Sequence, residues 1–101
     1  MIYFYTTLIG YILGCFQTSF FISKYFHGFD IRNRGTENAG ASNIVATIGW
    51  KTGFITAVID ILKASIAVWI IALLFPENPN LNFLKYLAGS FAVIGHIFPF
   101  Y

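Results

Sequence analysis

The chain has 101 residues, of which 57% are hydrophobic, 20% aromatic and only 10% charged. A soluble domain carries about 25% charged residues, so this chain has too few to cover a water-facing surface, and its composition points to a membrane. The formal net charge of +2 is small and the aromatic residues lie in apolar runs, which leaves nucleic-acid binding without support.

The first apolar segment spans about Ile2 to Phe26, broken in texture by Gly10, Gly14 and the polar run Gln17, Thr18, Ser19. A helix needs about 20 residues to cross the hydrocarbon, so one spanning helix is expected here. A secretory signal would begin with basic residues, and residues 1–23 contain neither Lys nor Arg, so the helix reads as retained. The small and hydroxylated residues Gly10, Gly14, Thr18 and Ser19 suit a packed helix face. Cys15 is the single cysteine, which excludes a disulfide within the chain. Cys and His residues show no metal-ligand spacing, and neither metal nor cofactor is expected.

A polar connection follows, about residues 27–43, ending in "DIRNRGTENAGASN". Gly35 and Gly40 permit positive φ and close approach of backbone to a ligand. Arg32 and Arg34 offer forked donors that match phosphate. Thr36, Asn38, Ser42 and Asn43 add neutral donors and acceptors. Ser42 or Asn43 can also cap a helix starting near Ile44, and such a helix start favours an anion. Two readings stay open at this level. One is a site for a phosphorylated, hydroxyl-bearing ligand; the other is an ordinary turn whose arginines merely obey membrane topology.

The second apolar segment runs from about Gly53 to Phe75 and stops at "PENPNLN", a turn signal. Asp60 and Lys63 lie inside it, three residues apart, on one helix face where they can pair. Charges at such depth face the protein interior or water. The pair can be structural, fixing helix packing, or functional. The third segment runs from about Phe83 to Pro99 and carries His96, which can be a base, a hydrogen-bond donor or a packing residue. The expected fold is therefore an all-α integral membrane protein, one membrane domain over residues 1–101 with helices at about 2–26, 53–75 and 83–99. Lys24, Arg32, Arg34 and Lys51 all flank the first connection, which places it in the cytoplasm and the N-terminus outside.

Three stretches taken in order resemble one family. "DIR" at Asp30–Arg32 with Gly35, Asn38, Gly40, Ala41 and Asn43, then "DILKASIAV", then "AGSFAVIGHIFPFY", are similar to the bacterial membrane glycerol-3-phosphate acyltransferases that use acyl phosphate, the PlsY family. Thr36 stands where that family usually has Ser, and Ser42 where it often has Thr. Cys15 and Gln17 replace the Ser and Pro of its Gly-Ser-x-Pro run, and Glu37 replaces a loop Gly. The resemblance implies transfer of a fatty acyl group from acyl phosphate to glycerol 3-phosphate, forming lysophosphatidic acid for phospholipid synthesis at the bacterial plasma membrane. It implies catalytic roles for Arg32, Thr36, Asn38, Ser42 and Asn43, and substrate contacts at Gly35, Gly40, Arg34 and His96. Family members continue past the position of Tyr101 into a Lys/Gly-rich loop and further helices, so the chain is expected to be the N-terminal half of the enzyme and inactive alone. The competing expectation is a small non-enzymatic membrane protein, either a helper subunit or the remnant of a truncated gene.

Overall fold

The computed structural model describes residues 1–100, and among them every regular element is helical. In chain order these are α1 (Ile2–Gly14), α2 (Thr18–His27), a short 3₁₀ turn (Ile31–Asn33), α3 (Ala41–Thr47), α4 (Trp50–Leu74) and α5 (Leu81–Ile97). The chain forms two compact units, residues 17–61 and a second made of residues 1–16 with 62 onward, and α4 contributes to both.

In the second of these units, α1 packs on α5 through glycine. A Cβ on Gly14 would lie 2.8 Å from the Ala92 Cα, and one on Gly10 would lie 3.1 Å from the Ala88 Cα. From the other side, a Cβ on Gly95 would sit 3.0 Å from the Cys15 nitrogen. Backbones this close gain dispersion contacts that larger side chains would forbid. Ile71, Leu84 and Ala88 form the buried core beside them, with Ile2, Ile9, Phe75 and Leu81 packed around its edge. The Tyr11 hydroxyl closes the far end by donating to the Phe98 carbonyl at 2.8 Å.

The unit of residues 17–61 folds around a loop. Helix α2 ends on Gly28 in the left-handed region, φ +76°, which turns the chain back. Ser23 Oγ, fully buried, then accepts from the Ile31 backbone N–H at 3.1 Å. Ile31 and Ile44 bury their side chains beneath the loop. Gly53 of α4 is buried close to α3: a Cβ there would lie 3.2 Å from the Ala41 carbonyl oxygen.

The expected first helix over about 2–26 is two helices. Residues 15–17 interrupt it, and Gln17 takes an extended conformation, φ −93° and ψ 91°. Thr18 and Ser19, which open α2, have lower helix propensity than Ala or Leu, so a continuous helix is weakly held there. The helix foreseen near Ile44 begins instead at Ala41, with Gly40 as its N-cap and no side-chain cap. Helix α4 begins three residues earlier than the expected Gly53, and α5 covers Leu81–Ile97 rather than 83–99. By length and composition two stretches can cross a membrane, Ile2–His27 taken together and α4. Helix α5, with 17 residues, is about 26 Å long and shorter than a typical hydrocarbon core of about 30 Å.

Candidate functional site

The loop between α2 and α3 is built around one side chain. Asn43 is fully buried in the first turn of α3. Its Oδ1 accepts from the Thr36 backbone N–H at 3.0 Å. Its Nδ2 donates to three carbonyls, those of Ile31 at 3.0 Å, Arg34 at 2.9 Å and Asn38 at 2.9 Å. An amide has two N–H groups, so one is shared between two acceptors. These four contacts tie together four points of a loop whose regular structure is a single 3₁₀ turn. The orientation of the amide follows from its surroundings, since only oxygen suits an N–H and only nitrogen suits carbonyls.

Gly35 lies against this amide, at φ +59°. A Cβ there would meet Asn43 Oδ1 and stand 2.7 Å from Thr47 Cγ2. Both the angle and the space require glycine at this position. Glu37 also has positive φ, at +64°, without being glycine. Its N–H donates to the Arg34 carbonyl at 2.9 Å, closing a tight turn.

The charged groups are set by local pairing. Asp30 caps the 3₁₀ turn by accepting from the Arg32 N–H at 2.9 Å. The Arg32 side chain returns to the same carboxylate through Nε at 3.1 Å and Nη2 at 2.9 Å. Hydrogen bonds from Arg32 hold the Asp30 carboxyl below the ordinary carboxylate value. The Arg32 guanidinium also lies over the Phe20 ring, 4.6 Å from its centroid, and Arg34 lies over Phe29 at 4.4 Å. Stacking holds both side chains at the loop surface, and a forked carboxylate contact restricts Arg32 further.

The sequence-predicted residues therefore divide. Arg32, Arg34, Gly35, Thr36 and Asn38 are exposed on the loop and Ser42 in the first turn of α3, Gly40 is half-buried as the N-cap of that helix, and Asn43 is beneath them. His96 and Lys63 lie in the other unit: Lys63 Nζ is 2.9 Å from His96 Nδ1 and donates to the Phe16 carbonyl at 2.6 Å. Lys63 is buried, at 7% exposure, and Asp60 is half-buried on the same helix. Helical spacing puts Asp60 and Lys63 on one face, and the contact of Lys63 with His96 is additional to that expectation. The link to His96, 33 residues on, has no local signal. Among the described residues no cluster of His, Cys, Asp and Glu could hold a metal ion.

The fold and loop define a helical polypeptide with membrane-length apolar segments and a preformed polar loop bearing two arginines. The family model described as glycerol-3-phosphate acyltransferase matches residues 4–101. A protein of Oceanobacillus iheyensis named glycerol-3-phosphate acyltransferase 1 is 38% identical over 103 residues, covering 98% of this chain and 49% of the relative. Proteins named glycerol-3-phosphate acyltransferase from Chlorobium phaeovibrioides and Streptococcus agalactiae are 40% and 38% identical, covering 89% and 93% of this chain and 41% and 42% of theirs. No solved structure matches. The chain belongs to the glycerol-3-phosphate acyltransferase family, and it spans half or less of the length of these curated relatives.

Proposed function

We propose that this chain supplies the phosphate-binding part of a membrane acyltransferase site that transfers a fatty acyl group from acyl phosphate to the 1-hydroxyl of glycerol 3-phosphate. The observation that carries this reading is the loop held from within by Asn43, which leaves Arg34, Thr36 and Asn38 exposed around a glycine turn, with the side chain of Arg32 40% exposed. A loop fixed before substrate arrives costs little ordering on binding. Both proposed substrates carry phosphate, and forked guanidinium donors suit it.

In the reaction the glycerol hydroxyl oxygen attacks the acyl carbonyl carbon. The bond from that carbon to the phosphate oxygen breaks, inorganic phosphate leaves, and the hydroxyl proton goes with it. The acyl group is already activated, so the protein must chiefly position and stabilise charge. Positioning contributes about 7–11 kcal/mol in well-oriented cases. A fixed donor on the developing oxyanion contributes about 3–4 kcal/mol. Arg32 and Arg34 bind phosphate, while Thr36, Asn38 and Ser42 orient the substrates. Asn43 acts by holding the loop in shape.

The reading extends to the membrane. Helix α4 exposes Phe54, Ile61, Trp69 and Leu73, each more than 60% accessible, and only 17% of its most apolar stretch is buried. The core helix of a soluble protein would be covered, whereas lipid covers such a face at no cost. The same surface can hold the acyl chain. The cluster of Lys24, Arg32, Arg34 and Lys51 supports a cytoplasmic loop on a bacterial plasma membrane. Cysteines introduced singly at positions 38 and 80, in a Cys15→Ala background, test the orientation; labelling of position 38 from outside intact cells would invert it.

Activity is tested by joining this chain to the C-terminal half of the Oceanobacillus iheyensis relative and supplying acyl phosphate with radiolabelled glycerol 3-phosphate. Lysophosphatidic acid is the expected product. Arg32→Ala is expected to slow its formation by about 10²-fold or more, the loss of one charge-stabilising donor. A joined protein that inserts into membranes but gives the same rate with Arg32→Ala overturns the assignment.

A further inference from the structure

We propose that Lys63 fixes His96 as the tautomer whose Nδ1 accepts and whose Nε2 carries the proton, so that the ring acts in the reaction as a hydrogen-bond donor and not as a base. The donor role rests on the acyltransferase reading; the tautomer rests on geometry alone. Lys63 is 93% buried and its Nζ touches two groups in its own unit, the Phe16 carbonyl at 2.6 Å and His96 Nδ1 at 2.9 Å. A carbonyl only accepts, and an ammonium only donates. The ring nitrogen facing the ammonium must therefore offer its lone pair. A neutral imidazole with a lone pair on Nδ1 has its proton on Nε2.

The alternative protonation is disfavoured by charge. An imidazolium would place a second positive charge 2.9 Å from the ammonium of the buried Lys63. The Phe16 carbonyl has a part as well. It lies just past the end of α1, where carbonyls lose their helical partners. The lysine amine takes this acceptor, and that contact anchors the amine against the ring. Lys63 is thus a positioning residue acting through His96. A base at this place would need the pair on Nδ1 that the lysine already occupies.

Nitrogen-15 NMR of the histidine-labelled chain in detergent micelles reads the tautomer directly, because protonated and bare ring nitrogens resonate far apart; the exposed His27 is assigned with a His27→Gln variant. A bare Nδ1 and a protonated Nε2 at His96 are expected. Proton on Nδ1, or an imidazolium, overturns the proposal in the wild-type spectrum, before any lysine variant is needed. Lys63→Met is expected to give a mixture of tautomers, whereas Lys63→Gln, which keeps an N–H donor, preserves the original one; an unchanged spectrum in Lys63→Met overturns the role of Lys63. In the joined enzyme, His96→Gln places its amide N–H near the Nε2 position and His96→Asn does not. Gln is expected to turn over about tenfold or more faster than Asn, the value of one hydrogen bond to a charged group. The reverse order overturns the donor role. A joined enzyme that is inactive throughout counts against the acyltransferase reading, while the spectrum decides the tautomer independently.

Discussion

Asn43→Ala should open the polar loop without disturbing the helices. The substitution removes one acceptor and two donors from a fully buried position, and it leaves the Thr36 N–H and the carbonyls of Ile31, Arg34 and Asn38 without their partner. A buried polar group left unsatisfied costs about 1–3 kcal/mol, while groups near the surface recover much of this from water. Three of the four contacts are only partly buried, and the Ile31 carbonyl contact is buried throughout. One full penalty and three reduced ones come to about 2–4 kcal/mol of local stability. At 1.4 kcal/mol per tenfold, the Thr36 and Glu37 amides should exchange with deuterium about 30- to 700-fold faster. Amides in the middle of α4 should keep their protection, because their hydrogen bonds lie within the helix. Asn43→Asp keeps the acceptor for Thr36 but turns oxygen toward three carbonyls, so it should be no better than alanine. Hydrogen exchange by mass spectrometry or NMR in micelles measures all of this. A Thr36 exchange rate within about threefold of wild type in Asn43→Ala would refute the scaffold argument.

Glu37 occupies the left-handed region, which costs a residue bearing a Cβ about 1–2 kcal/mol, so Glu37→Gly should raise the protection of the neighbouring amides by about 5- to 30-fold; reduced protection would contradict the strain. Gly14→Leu forces side-chain atoms toward the Ala92 backbone, which cannot swing aside, and should destabilise the α1–α5 pair by about 1–3 kcal/mol, read as a lower temperature of unfolding in detergent; an unchanged transition would mean the helices are not seated as described. Because the folded carboxyl of Asp30 titrates below its unfolded value, its contribution is present above the ordinary carboxylate range and is lost as pH falls through the lowered folded value. An NMR titration of the Arg32 Nε–H should show that midpoint and Asp30→Asn should abolish it; a midpoint at or above the ordinary value would refute the pairing.

The apolar helices were readable because their signal is local: length and hydropathy mark α4 and most of α1 with α2. The break at residues 15–17 was visible only as a change of texture, since no proline marks it here and a helix can pass through Gln, Thr and Ser. The loop could be recognised as polar and glycine-punctuated, but not the direction in which Asn43 points. A side chain suited to a ligand is equally suited to its own backbone, and only the three-dimensional path of residues 31–38 decides between them. Lys63 shows the same limit. Helical spacing suggests Asp60, and the imidazole of a distant helix is invisible to any periodicity.

The glycine contact between α1 and α5 has a consequence for biogenesis. Tyr11 meets Phe98 across 87 residues, so α1 leaves the ribosome well before the partner that its glycines are shaped for. At about 5–20 residues per second that interval is roughly 4–17 s. Throughout it the groove at Gly10 and Gly14 is open, a notch to which another small-residue helix could dock. The nascent chain therefore passes through a stage in which its first helix is made but unmatched. Until α5 arrives, that notch lacks the helix it is shaped for.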